Sequence, residues 1–387
     1  MNSGSISVTG PGITGAQDEA CNPTRKLVVN WVLPGTSLAG GIKSNRLIAE
    51  AMVRLGHTVN IAYVALPRPW PKMWHVRRWL RRAKSEWDTR NHNSHHLERS
   101  TANLIPVNAR RIEPEHLPDA DVTIATWWET REWIEEWPTS KGIKAYFIRA
   151  HELHGGDPAR VARTYRMPGL KFVIARWLKN LMAEKYGDSS AVLVPNGVDR
   201  SQFESESRDR AVVPTVGMLY GVATLKGAAT AFNALRRLKD QFPELRAIAF
   251  GSQLPMPEHE PPIWLEYHLR PSQAEIPRLY QQADCWIVPS TTEGFGMPGI
   301  EAAACHCPIV STRCGGPEDY VDDGVSGFLV PIGDAGAISD AVGRVLNLSG
   351  EKWRAMSQAS YEISKRFDWD RSAGILQNEL LRALERR

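Results

Sequence analysis

Glu293 and Glu301 stand eight positions apart, on either side of the run Gly294-Phe-Gly-Met-Pro-Gly299. The apolar stretch Cys285 to Val288 before them reads as a buried strand closed by Pro289. Pro298 reads as a helix start, because proline suits a first turn whose N–H groups have no intrahelical partner. A strand, a glycine turn and a helix start in that order make an anion site: free backbone N–H groups and the positive end of a helix dipole face one point. Any occupant must account for that site and for the two acids that flank it. Lys226, at another helix start, adds a cation where the dipole disfavours one, which points to use rather than chance.

Gly294 to Gly299 also satisfies G-x-G-x-x-G, with Glu318 and Asp319 near the offset of a ribose ligand, the pattern of a dinucleotide oxidoreductase. The match lies deep in the second half of the chain and leaves Glu293 and Glu301 without work. A glycine turn kept only for tight strand-to-helix packing is the plainer alternative.

The elements that must position these residues alternate. Lys26 to Leu33 reads as a strand, followed by Gly40-Gly41 and a helix with Ile48, Met52 and Leu55 on one face, then the strand Thr58 to Val64. This βαβ unit puts its glycines at the carboxyl end of the first strand, where open α/β sheets place ligands. Asp121 to Thr126, Lys144 to Ile148, Lys171 to Ile174 and Ala191 to Val194 read as further strands, with a helix at Arg176 to Tyr186. From residue 198 to 212 the chain is charged and poor in apolar residues, which marks a linker. A second alternation follows: strands at Val213 to Val216, Leu245 to Phe250, Pro308 to Thr312 and Gly327 to Val330, helices at Gly227 to Phe242 and Ser272 to Gln282, and helices from Ala335 to the end. The expected class is α/β: two doubly wound Rossmann-like domains facing each other across a cleft, residues 25–197 and 213–370, with a closing helix over 371–387 crossing back to the first domain.

Length allows two such cores, and a composition of 42% hydrophobic and 23% charged residues is that of a folded protein. With 47 Lys+Arg against 43 Asp+Glu, global charge nominates no nucleic-acid partner. Five cysteines without CxxC spacing fit a reducing compartment. Residues 1–24 lack an apolar core segment and read as a flexible tail, and no apolar run reaches the length of a membrane span. The expectation is a cytoplasmic protein.

The stretch Glu293-Gly-Phe-Gly-Met-Pro-Gly-Ile-Glu301 resembles the E-x7-E signature of retaining glycosyltransferases of GT-B architecture, family 4. Val194-Pro-Asn-Gly-Val-Asp199, Val216-Gly217 with Lys226-Gly227, Cys307-Pro-Ile-Val-Ser-Thr, Gly315-Gly316-Pro-Glu318, Asp323-Gly-Val-Ser-Gly-Phe-Leu-Val and Phe367-Asp-Trp-Asp resemble further segments of that family in the same order. Together they cover residues 26 to 385 and are denser in the second half. The resemblance implies transfer of a hexose-type sugar from a nucleotide diphosphate sugar to an acceptor hydroxyl with retained configuration, without a metal or other cofactor. It assigns Glu293, Lys226 and His151 to the reacting centre, and Gly40, Gly41, Gly294, Phe295, Gly296, Met297, Glu301 and Arg270 to the donor. Glu152 and His154, in Ile148-Arg-Ala-His-Glu-Leu-His154, fall on the acceptor side. Acceptors could be glycan, lipid-linked or small-molecule. A nucleotide-sugar epimerase of similar fold and a catalytically silent sugar-nucleotide-binding protein are the alternatives.

Two positions depart from the family. Met218 stands where an arginine normally pairs with the lysine on the diphosphate, leaving Arg149, Arg270 or Arg313 to complete the clamp. His306 stands where a helix-ending glycine is usual, at a site that favours left-handed backbone. His306 with Cys305, Cys307 and Cys314 imitates a metal cluster, but zinc ligands rarely crowd so closely. Arg68 to Lys84 holds seven basic residues, no acid and three tryptophans. Such a segment suits an anionic membrane surface, an anionic acceptor, or a solvated helix with a core-facing stripe.

Overall fold

The computed structural model describes residues 25–36, 40–65 and 95–386. The basic segment Arg68 to Lys84 lies outside the described residues. Two parallel sheets are built by the same logic. The first comprises β1 (Val28–Leu33), β2 (Thr58–Val64), β3 (Asn103–Val107), β4 (Val122–Ala125), β5 (Ile143–Ile148), β6 (Leu170–Val173) and β7 (Val192–Leu193), in the order β3-β2-β1-β4-β5-β6-β7. The second comprises β8 (Thr215–Leu219), β9 (Arg246–Gly251), β10 (Leu265–Leu269), β11 (Cys285–Val288), β12 (Ile309–Thr312) and β13 (Gly327–Val330), in the order β10-β9-β8-β11-β12-β13. In each, the chain winds outward from a central strand and returns to wind the other way. That leaves a crevice beyond the carboxyl ends of the paired strands β1 and β4, and of β8 and β11. This is the α/β, doubly wound class expected from the alternation.

The central strands are apolar because helices cover both faces. The helix Gly40–Arg54 buries Leu47, Ile48, Ala51 and Met52, and Ala228–Gln241 buries Ala231, Phe232, Leu235 and Leu238, each at helical spacing. Two strands that the apolar pattern does not reveal, β3 and β10, are edge strands. Pro106 is tolerated in β3 because one side of an edge strand needs no ladder bond. In β10 (Leu-Glu-Tyr-His-Leu) no residue is fully buried, so the apolar signal is diluted. The short helices Trp128–Ile134 and Pro158–Arg166 also go beyond the expected elements.

The closing helix, Trp369–Glu385, begins when Asp368 accepts a bond from the Arg371 amide at 2.8 Å. It packs on the first domain. Arg54 Nε donates to Asp370 Oδ1 at 2.8 Å, and His57 Nε2 lies 2.7 Å from Gln377 Oε1. His57 Nδ1 accepts from the Leu27 amide at 3.1 Å, so the proton sits on Nε2 and Gln377 accepts it. Burial lowers the His57 pKa, which keeps that tautomer neutral. The chain's two passages between domains run side by side: Val198 N donates to Phe367 O at 3.0 Å. A Cβ on Gly197 would stand 2.5 Å from Trp369 N, so only glycine admits this approach.

Candidate active site

The carboxyl ends of β8 and β11 each deliver one charged side chain to a common point. After β8 the chain makes a single 3-10 turn, Thr224–Lys226, and leaves it through Gly227 at φ 65°. A Cβ on Gly227 would lie 2.0 Å from Pro289 O, so the turn is pressed directly onto the end of β11. That contact is why Lys226 reaches Glu293. Its Nζ stands 2.7 Å from Glu293 Oε1, which also accepts from Ser290 Oγ at 2.7 Å. The Glu293 backbone is fixed in turn: its amide donates to Cys314 O at 2.7 Å, and its carbonyl accepts from Gly316 N at 3.2 Å. The Lys226 side chain keeps 36% exposure and that of Glu293 13%, so the pair borders solvent rather than being sealed in the core.

Gly296, at φ 82°, turns the chain into the helix Met297–Ala304, with Pro298 in its first turn. Tyr320 OH caps the Gly296 carbonyl at 2.7 Å and fills the space a Gly299 side chain would need. Phe295 is buried between Tyr320 and Phe367, so it offers a ligand its backbone and not its ring. Met297 is buried against Asn196 of the first domain, whose Nδ2 lies 3.5 Å from its sulfur.

Glu301 points from this helix to the first domain. Its Oε1 accepts from Lys43 Nζ at 2.8 Å and its Oε2 from Tyr280 OH at 3.1 Å, and the residue is only 7% exposed. Lys43 also donates to Gln202 Oε1 at 3.3 Å and lies over the Phe203 ring at 4.5 Å. Sequence reasoning missed Lys43, Tyr280 and Ser290. A signal for Lys43 existed: it is a cation near the start of the helix Gly40–Arg54, the same anomaly that singled out Lys226.

The first domain closes directly on the glycine turn. A Cβ on Gly294 would stand 1.9 Å from Arg149 O, and Trp177 Nε1 donates to Gly294 O at 2.9 Å. Arg176 binds Asp319 through both its amide and its Nε at 2.9 Å. Glycine at 294 is thus required by approach of a second backbone. Gly294→Ala should force the two domains apart at this point and lower turnover by about tenfold or more, while each sheet stays folded. Steady-state kinetics with circular dichroism checks it: unchanged kinetics would show that the contact is dispensable.

The other expected residues scatter. Gly40 and Gly41 open their helix exposed, and a Cβ on either would meet nothing within 4 Å. His151 is half-buried with Nε2 2.7 Å from Tyr186 OH, and burial, then Lys185 and His154, lower its pKa, so it is neutral at pH 7. Glu152 requires a correction. It is 1% exposed, with Oε2 bonded to Trp128 N and Tyr146 OH, both at 2.9 Å. Burial pushes its pKa up to about 8. A sealed carboxyl group cannot touch an acceptor; it anchors the start of the helix Trp128–Ile134. His154 is exposed and meets the Trp127 ring edge-on at 6.3 Å between centroids.

Arg270 follows the edge strand β10, two strands or roughly 10 Å from β8, and its Nε donates to Ser252 O at 2.8 Å. Arg313 is paired with Asp323 at 3.1 Å. Met218 is 1% exposed within the core of the second sheet, so its methionine is a packing residue. His306 adopts the left-handed backbone expected there, at φ 57°, and stacks on Tyr361 at 4.1 Å. The nearby cysteines are buried thiols: Cys305 and Cys307 donate to Phe203 O at 3.1 Å and Ala283 O at 3.2 Å. Among the described residues no three His, Cys, Asp or Glu side chains are grouped to hold a metal ion. Among the described residues no helix is long and apolar enough to cross a membrane.

Residues 199–363 match the family model described as glycosyl transferases group 1. The chain is 38% identical over 114 residues to the D-inositol 3-phosphate glycosyltransferase of Mycobacterium leprae (strain Br4923), which is 29% of this chain and 27% of the relative. It is 40% identical over 102 residues to the protein of that name from Saccharomonospora viridis, 26% of this chain and 23% of the relative. These matches therefore span about a quarter of the curated relatives. Among solved structures, sucrose-phosphate synthase from Thermosynechococcus elongatus superposes with a TM-score of 0.68 at 16% identity, covering 93% of this chain and 100% of the other. HepE of Anabaena in complex with UDP and glucose superposes with a TM-score of 0.66 at 13% identity, covering 92% and 99%. At such identities the likeness is one of fold.

Proposed function

We propose that this chain transfers a hexose-type sugar from a nucleotide diphosphate sugar to an acceptor hydroxyl, with retention of anomeric configuration. The observation that carries the reading is the Lys226–Glu293 pair, set 2.7 Å apart where β8 and β11 end, beside the glycine turn that opens the helix at Met297. The match of residues 199–363 to glycosyl transferases group 1 and the shared fold of UDP-bound HepE support it.

In this reading the helix start and its backbone N–H groups face the diphosphate, and Lys226 adds a point charge where negative charge grows as the leaving group departs. Glu293 orients the donor sugar. Glu301 takes ribose hydroxyls with the lone pairs that Lys43 and Tyr280 leave, since an ionised carboxylate has about four acceptor sites. The bond from the anomeric carbon to the diphosphate oxygen breaks, the bond to the acceptor oxygen forms on the same face, and the acceptor proton passes to the departing phosphate. No protein base is required. That fits a Glu152 sealed away from the cleft and a His151 whose Nε2 is engaged by Tyr186. The charge on the leaving group is met by Lys226 and backbone donors, so the reading assigns no metal.

A thermal-shift screen against nucleoside diphosphates and nucleotide sugars tests it, because a ligand that binds only the folded chain raises its melting temperature. One base class should stabilise the wild type. Lys226→Ala should weaken that nucleoside diphosphate about tenfold by calorimetry, and unchanged affinity would remove Lys226 from the phosphate site.

A further inference from the structure

We propose that Arg149, contributed by the first domain, is a second cation for the donor diphosphate. The proposal rests on the function just described and names a residue that completes the same site from across the cleft.

The geometry begins with position. Arg149 follows β5 at the carboxyl end of the first sheet, and its carbonyl lies against Gly294, inside the turn between Glu293 and the helix at Met297. Asn196 links the two: its Oδ1 accepts from Arg149 Nη1 at 3.1 Å, and its Nδ2 lies 3.5 Å from Met297 Sδ. The guanidinium, stacked over the Phe147 ring at 4.5 Å, is thus joined through Asn196 to the side chain of the first residue of the helix at Met297.

The second element is an unmet demand. Arg149 is only 8% exposed. Its Nε donates to Asn45 Oδ1 at 2.9 Å and its Nη1 to Ser44 Oγ at 2.7 Å, besides Asn196. Every one of these acceptors is neutral. Nη2 is buried and has no hydrogen-bond partner. Other buried cations of the chain have carboxylates: Lys43 has Glu301, and Arg131 has Glu135. The carboxyl group that acts on Arg149 electrostatically is Glu152, and burial raises its pKa to about 8, so at pH 7 it is mostly protonated. Burial likewise lowers the Arg149 pKa to about 9, which still leaves the guanidinium charged at pH 7. A buried, charged, geometrically fixed guanidinium with one fork nitrogen unused is a site for an anion, and a planar fork suits phosphate oxygens. Desolvated charge without a counter-ion is strongly disfavoured, so an anion that supplies one is bound tightly.

Location then selects which anion. The Arg149 backbone carbonyl lies against the glycine turn assigned to the diphosphate, and its guanidinium reaches the first residue of the following helix through Asn196. Nη2 is buried and unpaired in this structure, and the proposal assigns its open hydrogen bond to a diphosphate oxygen. Lys226 and Arg149 then hold the diphosphate from opposite domains.

The test uses the full chain and calorimetry with two ligands, the nucleoside diphosphate selected by the thermal-shift screen and its parent nucleoside. Arg149→Met should weaken the diphosphate at least tenfold and leave the nucleoside within twofold, with the unliganded melting temperature unchanged or raised, since an uncompensated buried charge has been removed. Arg149→Lys, which keeps the charge but loses the fork, should fall between. Equal loss of both ligands, or no loss of the diphosphate, overturns the proposal. Should Arg149→Met fail to fold, the same comparison in Arg149→Lys decides it, a loss of diphosphate affinity below twofold counting against. A wild type that binds no nucleoside diphosphate would overturn the function itself, a result visible before any variant is made.

Discussion

Replacing Glu293 with alanine should lower turnover by about 100- to 1,000-fold with the fold intact, the scale on which losing one preorganised polar contact at a reacting centre registers. The structure makes this a sharp expectation because two donors, Lys226 Nζ and Ser290 Oγ, converge on its Oε1 at 2.7 Å each. Alanine removes the acceptor of both and frees Lys226 to swing. Glu293→Gln separates charge from shape: it keeps the volume and an acceptor oxygen but no longer holds the ammonium by charge. Glutamine should therefore recover part of the loss. Product formation from a donor and acceptor pair, followed alongside the melting temperature, measures both. Near-normal transfer by the alanine variant would sink the assigned role.

The second large effect is on stability. Lys43→Met should cost about 3–5 kcal/mol, because it strands a carboxylate in a buried site. Glu301 and Lys43 have side-chain exposures of 9% and 8%, and after the change the Tyr280 hydroxyl is left to hold the Glu301 carboxylate. Denaturant unfolding followed by tryptophan fluorescence should show an earlier transition. The double variant Lys43→Met, Glu301→Gln should regain much of the loss, since it removes the orphaned charge as well as its partner. If the single variant unfolds like the wild type, the ion pair contributes nothing to holding the domains together. Because Glu301 is also the proposed ribose contact, the double variant should be stable yet weak in nucleotide binding, which sets the two roles apart.

Much of the architecture is legible in the order of residues. Central strands are continuous apolar runs, and Cys285–Val288 forms as its composition predicts, closed by Pro289. Helix starts are announced by local chemistry, as at Pro298, and the left-handed backbone at His306 follows from its place after a helix end. Two of the four edge strands, β3 and β10, are not legible. Asn103–Val107 and Leu265–Leu269 are only partly covered, so the apolar periodicity that marks a strand is weak there. Glu152 misleads for a related reason: a carboxyl group next to a histidine at a strand end suggests a cleft, yet this one turns inward to the Trp128 amide and the Tyr146 hydroxyl. Direction of a side chain in an irregular segment is decided by what packs around it.

By itself the sequence determined that there are two doubly wound units, that a glycine turn and helix start follow β11, and that Glu293 and Glu301 flank it. Those conclusions depend on interactions within a few residues of one another: side-chain period, glycine and proline backbone preferences, and helix-end electrostatics. Tertiary structure alone decided the partners. Lys43 and Glu301 are 258 positions apart, Lys226 and Glu293 are 67, and Arg149 meets Gly294 across the boundary between domains. No local preference encodes such pairs. Lys226 and Glu293 meet because β8 and β11 are neighbours in one sheet, whereas the other two contacts exist because two sheets, each folded by its own apolar pattern, bring their carboxyl-end loops face to face, where Lys43 and Glu301 are desolvated and must find each other.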